Sequence, residues 1–454
     1  MPRGGSTRAI VTLGWPMFVG QLAVMANGVI DNVMVGHLSG TELAAVAIGS
    51  SIYYIVFVAL MGTLQALSPV VAQHYGAGRM PAVGDTWRQG RWLIVAMLAP
   101  GWLALAFPQP LLSLADADPA VTAQATRYLN ALALGLPAAL WFRAFGTLNT
   151  AVSRPGVVMA INLLGLALKV PLNLVFMHGT DGWPALGLPG VPAMGGAGCG
   201  AATAVVFWVS AAAGWWLLHR DPFYARFSLG GWDRPRRTAQ LELMRLGLPI
   251  GAVYLIDVTA FNLVTLLVAR LGTETVGGHA IVANLAATLY MLPLALAGAA
   301  GVLSAQALGA GDRAAARRIA WRGMRLALTL AVGAALLLWL AREPLARAYT
   351  NDAGVAAVAV ALLPWVALYH VADALQVAIA FALRAWKVTV APMLVFATAL
   401  WGVGLGGGGW LAFGLGYGVS GFWIAAVTAL AVAAAGLAVL FERVSRDAPA
   451  PITA

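Results

Sequence analysis

The chain has 454 residues, 61% of them hydrophobic and only 10% charged, with a formal net charge of +10. Soluble domains carry about 25% charged residues, so the composition excludes a large soluble enzyme and describes an integral membrane protein. The basic excess does not point to nucleic acid, because Arg and Lys fall in short clusters between apolar runs, the pattern of cytoplasmic loops.

A span needs about 20 mainly apolar residues. Twelve runs meet that measure: 10–36, 43–72, 88–110, 121–146, 156–178, 195–219, 243–270, 276–306, 318–340, 353–382, 388–411 and 417–441. The first is too long for a signal-peptide core and carries its own acid, Asp31, so it reads as a first span. Of the 27 Lys and Arg, twenty-two lie on one side of these spans, including Arg3, Arg8, Arg88, Arg91, the set from Arg220 to Arg245, and Arg313 to Arg325. Arg127, Arg270, Arg342 and Arg347 face the other way, and Lys169 falls inside the fifth span. This asymmetry predicts that both termini are cytoplasmic. The single cysteine, Cys199, excludes an internal disulfide and a cysteine metal site, and reads as a small packing residue between two glycines.

The two halves repeat. Shifted by 233, Leu13-Gly14-Trp15-Pro16 meets Leu246-Gly247-Leu248-Pro249. Ala72-Gln73 and Gly76-Ala77-Gly78 meet Ala305-Gln306 and Gly309-Ala310-Gly311 in the same register. Six spans per half is an even number, so both halves enter from one side and the repeat is parallel, with its pseudo-twofold along the membrane normal. The predicted architecture is an all-α membrane protein of twelve transmembrane helices in two six-helix lobes facing a central cleft. An N-lobe over 1–219, a cytoplasmic linker over 220–242 and a C-lobe over 243–454 follow, with rocking of the lobes as the expected mechanism.

Three of the seventeen acids lie well inside spans: Asp31, Asp257 and Asp373. An intramembrane carboxylate costs roughly 2.5–3.5 kcal/mol on insertion scales and marks a proton or ion site more often than a structural hydrogen bond. Asp31 is accompanied by Asn173 at a similar depth in the fifth span, and Lys169 lies one helical turn from Asn173 on the same face, qualified by Pro171. Two readings of Lys169 stand side by side. It pairs with Asp31 as a built-in cation that disfavours Na⁺ in the N-lobe, or it snorkels to the outer interface. The repeat places Val264 opposite Asp31 and Val24 opposite Asp257, so the scaffold is duplicated while the ionic positions are not.

Several motifs together resemble one family. They are Leu13-Gly14-Trp15-Pro16, Gly28-Val29-Ile30-Asp31, Pro69-Val70-Val71-Ala72-Gln73, Val170-Pro171-Leu172-Asn173, Arg245-Leu246-Gly247-Leu248-Pro249, His279 with Asn284, and Leu368-Tyr369-His370-Val371-Ala372-Asp373-Ala374-Leu375-Gln376. In order and spacing over the whole chain, they resemble the multidrug and toxic compound extrusion (MATE) transporters, in particular the NorM branch. The resemblance implies secondary active efflux of bulky cationic or amphipathic compounds by antiport with Na⁺ or H⁺. It implies a multi-pass protein of a bacterial-type inner membrane, a monomer with small-molecule drug substrates, no cofactor beyond the coupling ion, and no nucleic-acid partner. It also matches Asp31 and Asn173 to the N-lobe site, and Asp373, Tyr369 and Asn284 to the C-lobe site. Asp257 stands where NorM proteins usually carry Glu, keeping the charge and shortening its reach by one methylene. A Na⁺ held by Asp257 and Asp373 would draw on Tyr369, Asn284 and nearby carbonyls for further oxygen ligands.

The alternatives are from other classes. A lipid-linked oligosaccharide flippase of related fold would need a basic central cavity for a pyrophosphate, whereas the ionisable groups inside the spans are mainly acidic. An intramembrane enzyme would need a clustered nucleophile and base or a His-Glu-x-x-His motif, and neither is present.

Overall fold

A computed structural model describes residues 6–113, 117–180 and 190–446, and among these there are helices and turns but no strand. The first half comprises α1 (Thr7–Gly36), α2 (Gly40–Leu64), α3 (Leu67–Gly76), α4 (Met80–Ala106), the short α5 (Gln109–Leu112), α6 (Pro119–Ala151), α7 (Pro155–His178), α8 (Ala197–Arg220) and the short α9 (Pro222–Ala225). The second comprises α10 (Arg237–Val268), α11 (Thr273–Gly309), α12 (Arg313–Leu340), α13 (Arg342–Tyr349), α14 (Ala353–Ala385), α15 (Val390–Ala397), α16 (Gly407–Gly409) and α17 (Val419–Arg446). Wide π-helical turns over Thr398–Gly406 and Trp410–Gly414 join α15 and α16 into one rod over Val390–Gly414.

Eleven described helices are long and apolar enough to cross a bilayer, with α2 and α3 counted as one. The twelfth expected span corresponds to α4, which starts at Met80 rather than near Arg88. Its first turns carry Asp85, Arg88 and Arg91, so apolarity alone places its start too late. The membrane-spanning character shows on the outside too. Leu134, Leu266 and Leu337 are each more than 60% exposed, a surface suited to lipid rather than water.

The repeat extends to the element ends. At the shift of 233, Gly40–Gly76 falls on Thr273–Gly309, and the first residues of α4 and α5 fall on those of α12 and α13. Gly78 and Gly311, equivalents in that register, both adopt left-handed φ, 72° and 82°, to turn the chain into α4 and α12. One asymmetry stands out. A turn at Gln65-Ala66 divides α2 from α3, whereas α11 runs unbroken.

Two compact units result. One comprises Val19–His74 and Arg79–Gly251, the other Met1–Phe18, Tyr75–Gly78 and Ala252–Ala454. The boundaries within α1 and α10, after Phe18 and Gly251, are again 233 residues apart, and each lies two residues past a helix-internal proline, Pro16 or Pro249. Close approach inside each unit relies on small residues, the usual device of membrane helices. In the first unit, a Cβ on Gly247 would stand 2.3 Å from the Thr63 carbonyl oxygen, and one on Gly135 would stand 2.8 Å from Ala204 Cα. In the second, the Gly301 Cβ position on α11 lies 3.0 Å from the Phe381 carbonyl oxygen of α14, and Ala297 of α11 shares a core with Ala378 and Ala382 of α14.

Residues 220–242, expected as a linker, pack inside the first unit. Asp221 caps α9 by accepting from the Phe223 amide and pairs with Arg154 at 2.6 Å, and these contacts, the amide first, hold its carboxyl below the usual range. Beyond α9 the chain is strapped along α4. Gln89, 1% exposed, donates to the Arg234 carbonyl and accepts from the Arg236 amide. Trp92 donates to the Asp233 carbonyl at 2.8 Å, Arg88 binds Asp233 and the Ser228 carbonyl, and Arg91 binds the Gly231 carbonyl beneath the Trp232 ring.

Candidate functional site

Two carboxylate centres occupy different units. In the first, α1 brings Asp31 and α7 brings Lys169 and Asn173 to one point. Lys169 Nζ lies 2.9 Å from Asp31 Oδ1, and Asn173 Nδ2 donates to the same oxygen at 2.8 Å. The helical turn separating Lys169 from Asn173 puts both on the face that meets α1. All three are buried, at 8%, 1% and 0% exposure for Asp31, Lys169 and Asn173. The ammonium makes two further bonds to α8, to the Cys199 carbonyl at 3.2 Å and to the Thr203 hydroxyl. Lys169 is therefore paired and not snorkelled.

The surroundings of this pair are acceptor-rich. Among the described residues, Asn173 Oδ1 and Asn27 Oδ1 are buried without a hydrogen-bond partner, as is the Tyr53 hydroxyl. Asn27 lies one turn before Asp31 on α1, while Tyr53 starts an aromatic stack through Phe57 to Phe207, with centroid spacings of 5.4 and 6.4 Å. Cys199 contributes its backbone carbonyl to Lys169, and its thiol donates to the Gly196 carbonyl at 2.9 Å.

In the second unit, Asp257 on α10 and Asp373 on α14 border a cavity of about 30 Å³, room for a water-sized guest. Tyr254, Tyr290, Gln376 and Arg384 line it with them. Asp257 is exposed and Asp373 half-buried, and among the described residues neither has an ion-pair partner within 4.0 Å. Two carboxylates, two phenols and an amide form an oxygen-rich set fitting a hard monovalent cation or a proton. Among the described residues no group of three or more His, Cys, Asp or Glu side chains is placed to hold a metal ion.

The remaining candidates of the C-half lie outside the cavity lining. Tyr369, one turn before Asp373, stays within electrostatic reach of both Asp373 and Asp257, and its ring stands edge-on to Trp423 at 5.4 Å. Asn284 is exposed and accepts from the Tyr349 hydroxyl at 3.0 Å, away from the cavity. His279 is buried between Phe261 and Trp423. Sequence reasoning missed Tyr254, Tyr290, Gln376 and Arg384 at the cavity, and Thr203 at Lys169. The signal for three of them is helical spacing. Tyr254 is three residues before Asp257, and Gln376 and Arg384 follow Asp373 at i+3 and i+11, all on the facing side of their helices.

Known proteins agree with this duplicated scaffold. A family model described as MatE matches residues 16–175 and again 249–407, two matches offset by the repeat length. A probable multidrug resistance protein NorM of Aromatoleum aromaticum is 40% identical over 92% of this chain and 90% of its own length. The multidrug resistance protein PmpM of Pseudomonas aeruginosa is 35% identical over 88% and 82%. In fold, the chain is similar to the eukaryotic MATE transporter AtDTX14, with a TM-score of 0.86, 20% identity and 97% of each chain covered. It is equally similar to the Vibrio cholerae MATE transporter VcmN, with a TM-score of 0.86, 18% identity and 96% of each chain covered. With the family matched in both halves and its relatives matched over most of their length, the chain belongs to the MATE family of membrane transporters.

Proposed function

We propose that this transporter is a secondary active multidrug exporter that expels cationic or amphipathic compounds by antiport with Na⁺ or H⁺. The observation that carries the reading is the pair Asp257 and Asp373, two carboxylates within spans that share a cavity and have no ion-pair partner among the described residues. Such groups bind protons or cations rather than stabilise the fold. Antiport requires that drug and coupling cation bias one protein toward opposite states, and the cation enters as a substrate at this centre. The relatives' names as multidrug resistance proteins support the drug class.

The N-half centre takes a different part. With Lys169 on Asp31, its carboxylate is already neutralised, so a second small cation meets a like charge there. The orphan acceptors on Asn27 and Asn173, with the Tyr53–Phe57–Phe207 stack, suit an aromatic compound that donates N–H hydrogen bonds. The basic asymmetry of the loops supports cytoplasmic termini in a bacterial-type inner membrane. The flippase alternative has less support, since the charge of Lys169 is engaged by Asp31 and does not serve a pyrophosphate.

Efflux of a cationic dye from membrane vesicles, with Na⁺ and pH gradients imposed separately, tests the proposal. One gradient or both should drive efflux. Asp257→Asn and Asp373→Asn should each lower gradient-driven efflux at least about tenfold, equivalent to about 1.4 kcal/mol of coupling. Indifference to both gradients would remove the antiport reading.

A further inference from the structure

Arg384 is the unexpected member of the C-half cavity. It follows Asp373 on α14 by 11 residues, close to three full turns, so both face the same side of the helix. Its guanidinium forms no ion pair with Asp257 or Asp373 among the described residues, although all three border the cavity. It is held instead on aromatic faces, 4.4 Å from the Phe381 ring centroid and 5.5 Å from that of Tyr254, with Nη1 3.5 Å from the Tyr254 hydroxyl. The other titratable groups lining the cavity are the uncharged phenols of Tyr254 on α10 and Tyr290 on α11, and α15 contributes only Phe396. An arginine does not lose its proton in a protein. The cavity therefore carries a permanent positive charge beside two carboxylates.

We propose that Arg384 is a specificity-determining residue of this centre. Its fixed charge leaves two carboxylates with one net negative charge, so the centre accepts a single monovalent cation and rejects divalent cations. The aromatic seat is what makes this possible. A cation in direct contact with a carboxylate, as the Lys169 ammonium is with Asp31, would neutralise that carboxylate. One held on Phe381 and Tyr254 lowers the charge of the cavity and leaves both acids free to bind. Without Arg384, two carboxylates among oxygen donors would suit Ca²⁺, which favours carboxylate and carbonyl oxygens.

The inference rests on the reading of Asp257 and Asp373 as the cation centre, and its test does not depend on which ion drives transport. The thermal midpoint of the detergent-purified full chain is measured with and without millimolar CaCl₂, at constant ionic strength. The wild type and Arg384→Lys, which keeps the charge, should show no Ca²⁺-dependent change. Arg384→Gln and Arg384→Met should each gain a Ca²⁺-dependent rise of about 1–2 °C at roughly tenfold excess over Kd. The Arg384→Gln, Asp373→Asn double variant should lose it. A wild type stabilised by Ca²⁺ through Asp373 would overturn the proposal even if the variants did not fold. So would neutral variants without a Ca²⁺ response, or Arg384→Lys behaving like Arg384→Gln. Failure of the underlying reading looks different, because gradient-driven dye efflux would then survive Asp257→Asn and Asp373→Asn.

Discussion

The two carboxylate centres of this transporter sit on equivalent scaffolds and solve the problem of an intramembrane acid in opposite ways. In the N-half, Asp31 is buried and its charge is cancelled at contact distance by Lys169, with Asn173 on the same oxygen. In the C-half, Asp257 is exposed and Asp373 half-buried, and the nearby cation, Arg384, is kept on aromatic rings. The first arrangement makes the acid part of the architecture. The second keeps it available to a visitor. Duplication thus copied helices, turns and glycines but not electrostatics.

The strongest way to break this comparison is to remove one partner of the N-half pair. Asp31→Asn leaves Lys169 buried without its counter-charge, and should cost about 3–5 kcal/mol of stability. Adding Lys169→Met should restore most of that loss, since removing both charges leaves nothing unpaired. Asp257→Asn, with no paired partner to abandon, should stay within about 0.5 kcal/mol of wild type. Thermal denaturation of the purified variants measures all three. Equal losses from Asp31→Asn and Asp257→Asn would erase the distinction between an architectural and an available acid.

A smaller effect tests whether equivalent positions in the repeat are equally constrained. Gly14 and Gly247 occupy the same place in α1 and α10, but their neighbours differ. A Cβ on Gly247 meets the rigid Thr63 carbonyl oxygen at 2.3 Å, while one on Gly14 meets the tip of Leu296 at 3.1 Å. Gly247→Ala should destabilise by about 1–3 kcal/mol and Gly14→Ala by under about 1 kcal/mol, because a leucine tip can move and a helix backbone cannot. The smallest effect concerns Asn284. Tyr349→Phe removes the hydrogen bond that the Tyr349 hydroxyl donates to Asn284 at an exposed site, and should change stability by less than about 0.5 kcal/mol with dye efflux unaltered. A loss of coupling in that variant would return Asn284 to the cation centre.

Much of this was legible in the residues. The apolar runs give the helices, and the shift of 233 gives the repeat, down to the glycines that turn the chain at 78 and 311. The rarity of charge inside the spans isolates Asp31, Asp257 and Asp373, and the turn between Lys169 and Asn173 put both on one face toward Asp31. What escaped were contacts made by residues with an ordinary explanation. Arg384 reads as one more cytoplasmic basic residue, and only its spacing from Asp373 tells otherwise. Tyr254 shares a face with Asp257 by its spacing, but Tyr290 is lost among the aromatics of an apolar chain. Asn284 misled for the converse reason, since an amide within an apolar run looks like a ligand, yet its partner is a tyrosine from the short α13.

The strap along α4 has a consequence for how the chain could be cut. A protease nick between Gly230 and Gly231 would create two new ends, each already gripped. Ser228 is held on one side by Arg88, and Gly231 and Asp233 on the other by Arg91 and Trp92. Gln240, within α10, is fastened to Gln89 as well. The peptide bond that joins the two repeats therefore does little of the holding at this point. Two polypeptides broken there would assemble this corner through the same side chains, which makes it the natural place to express the transporter as separate halves.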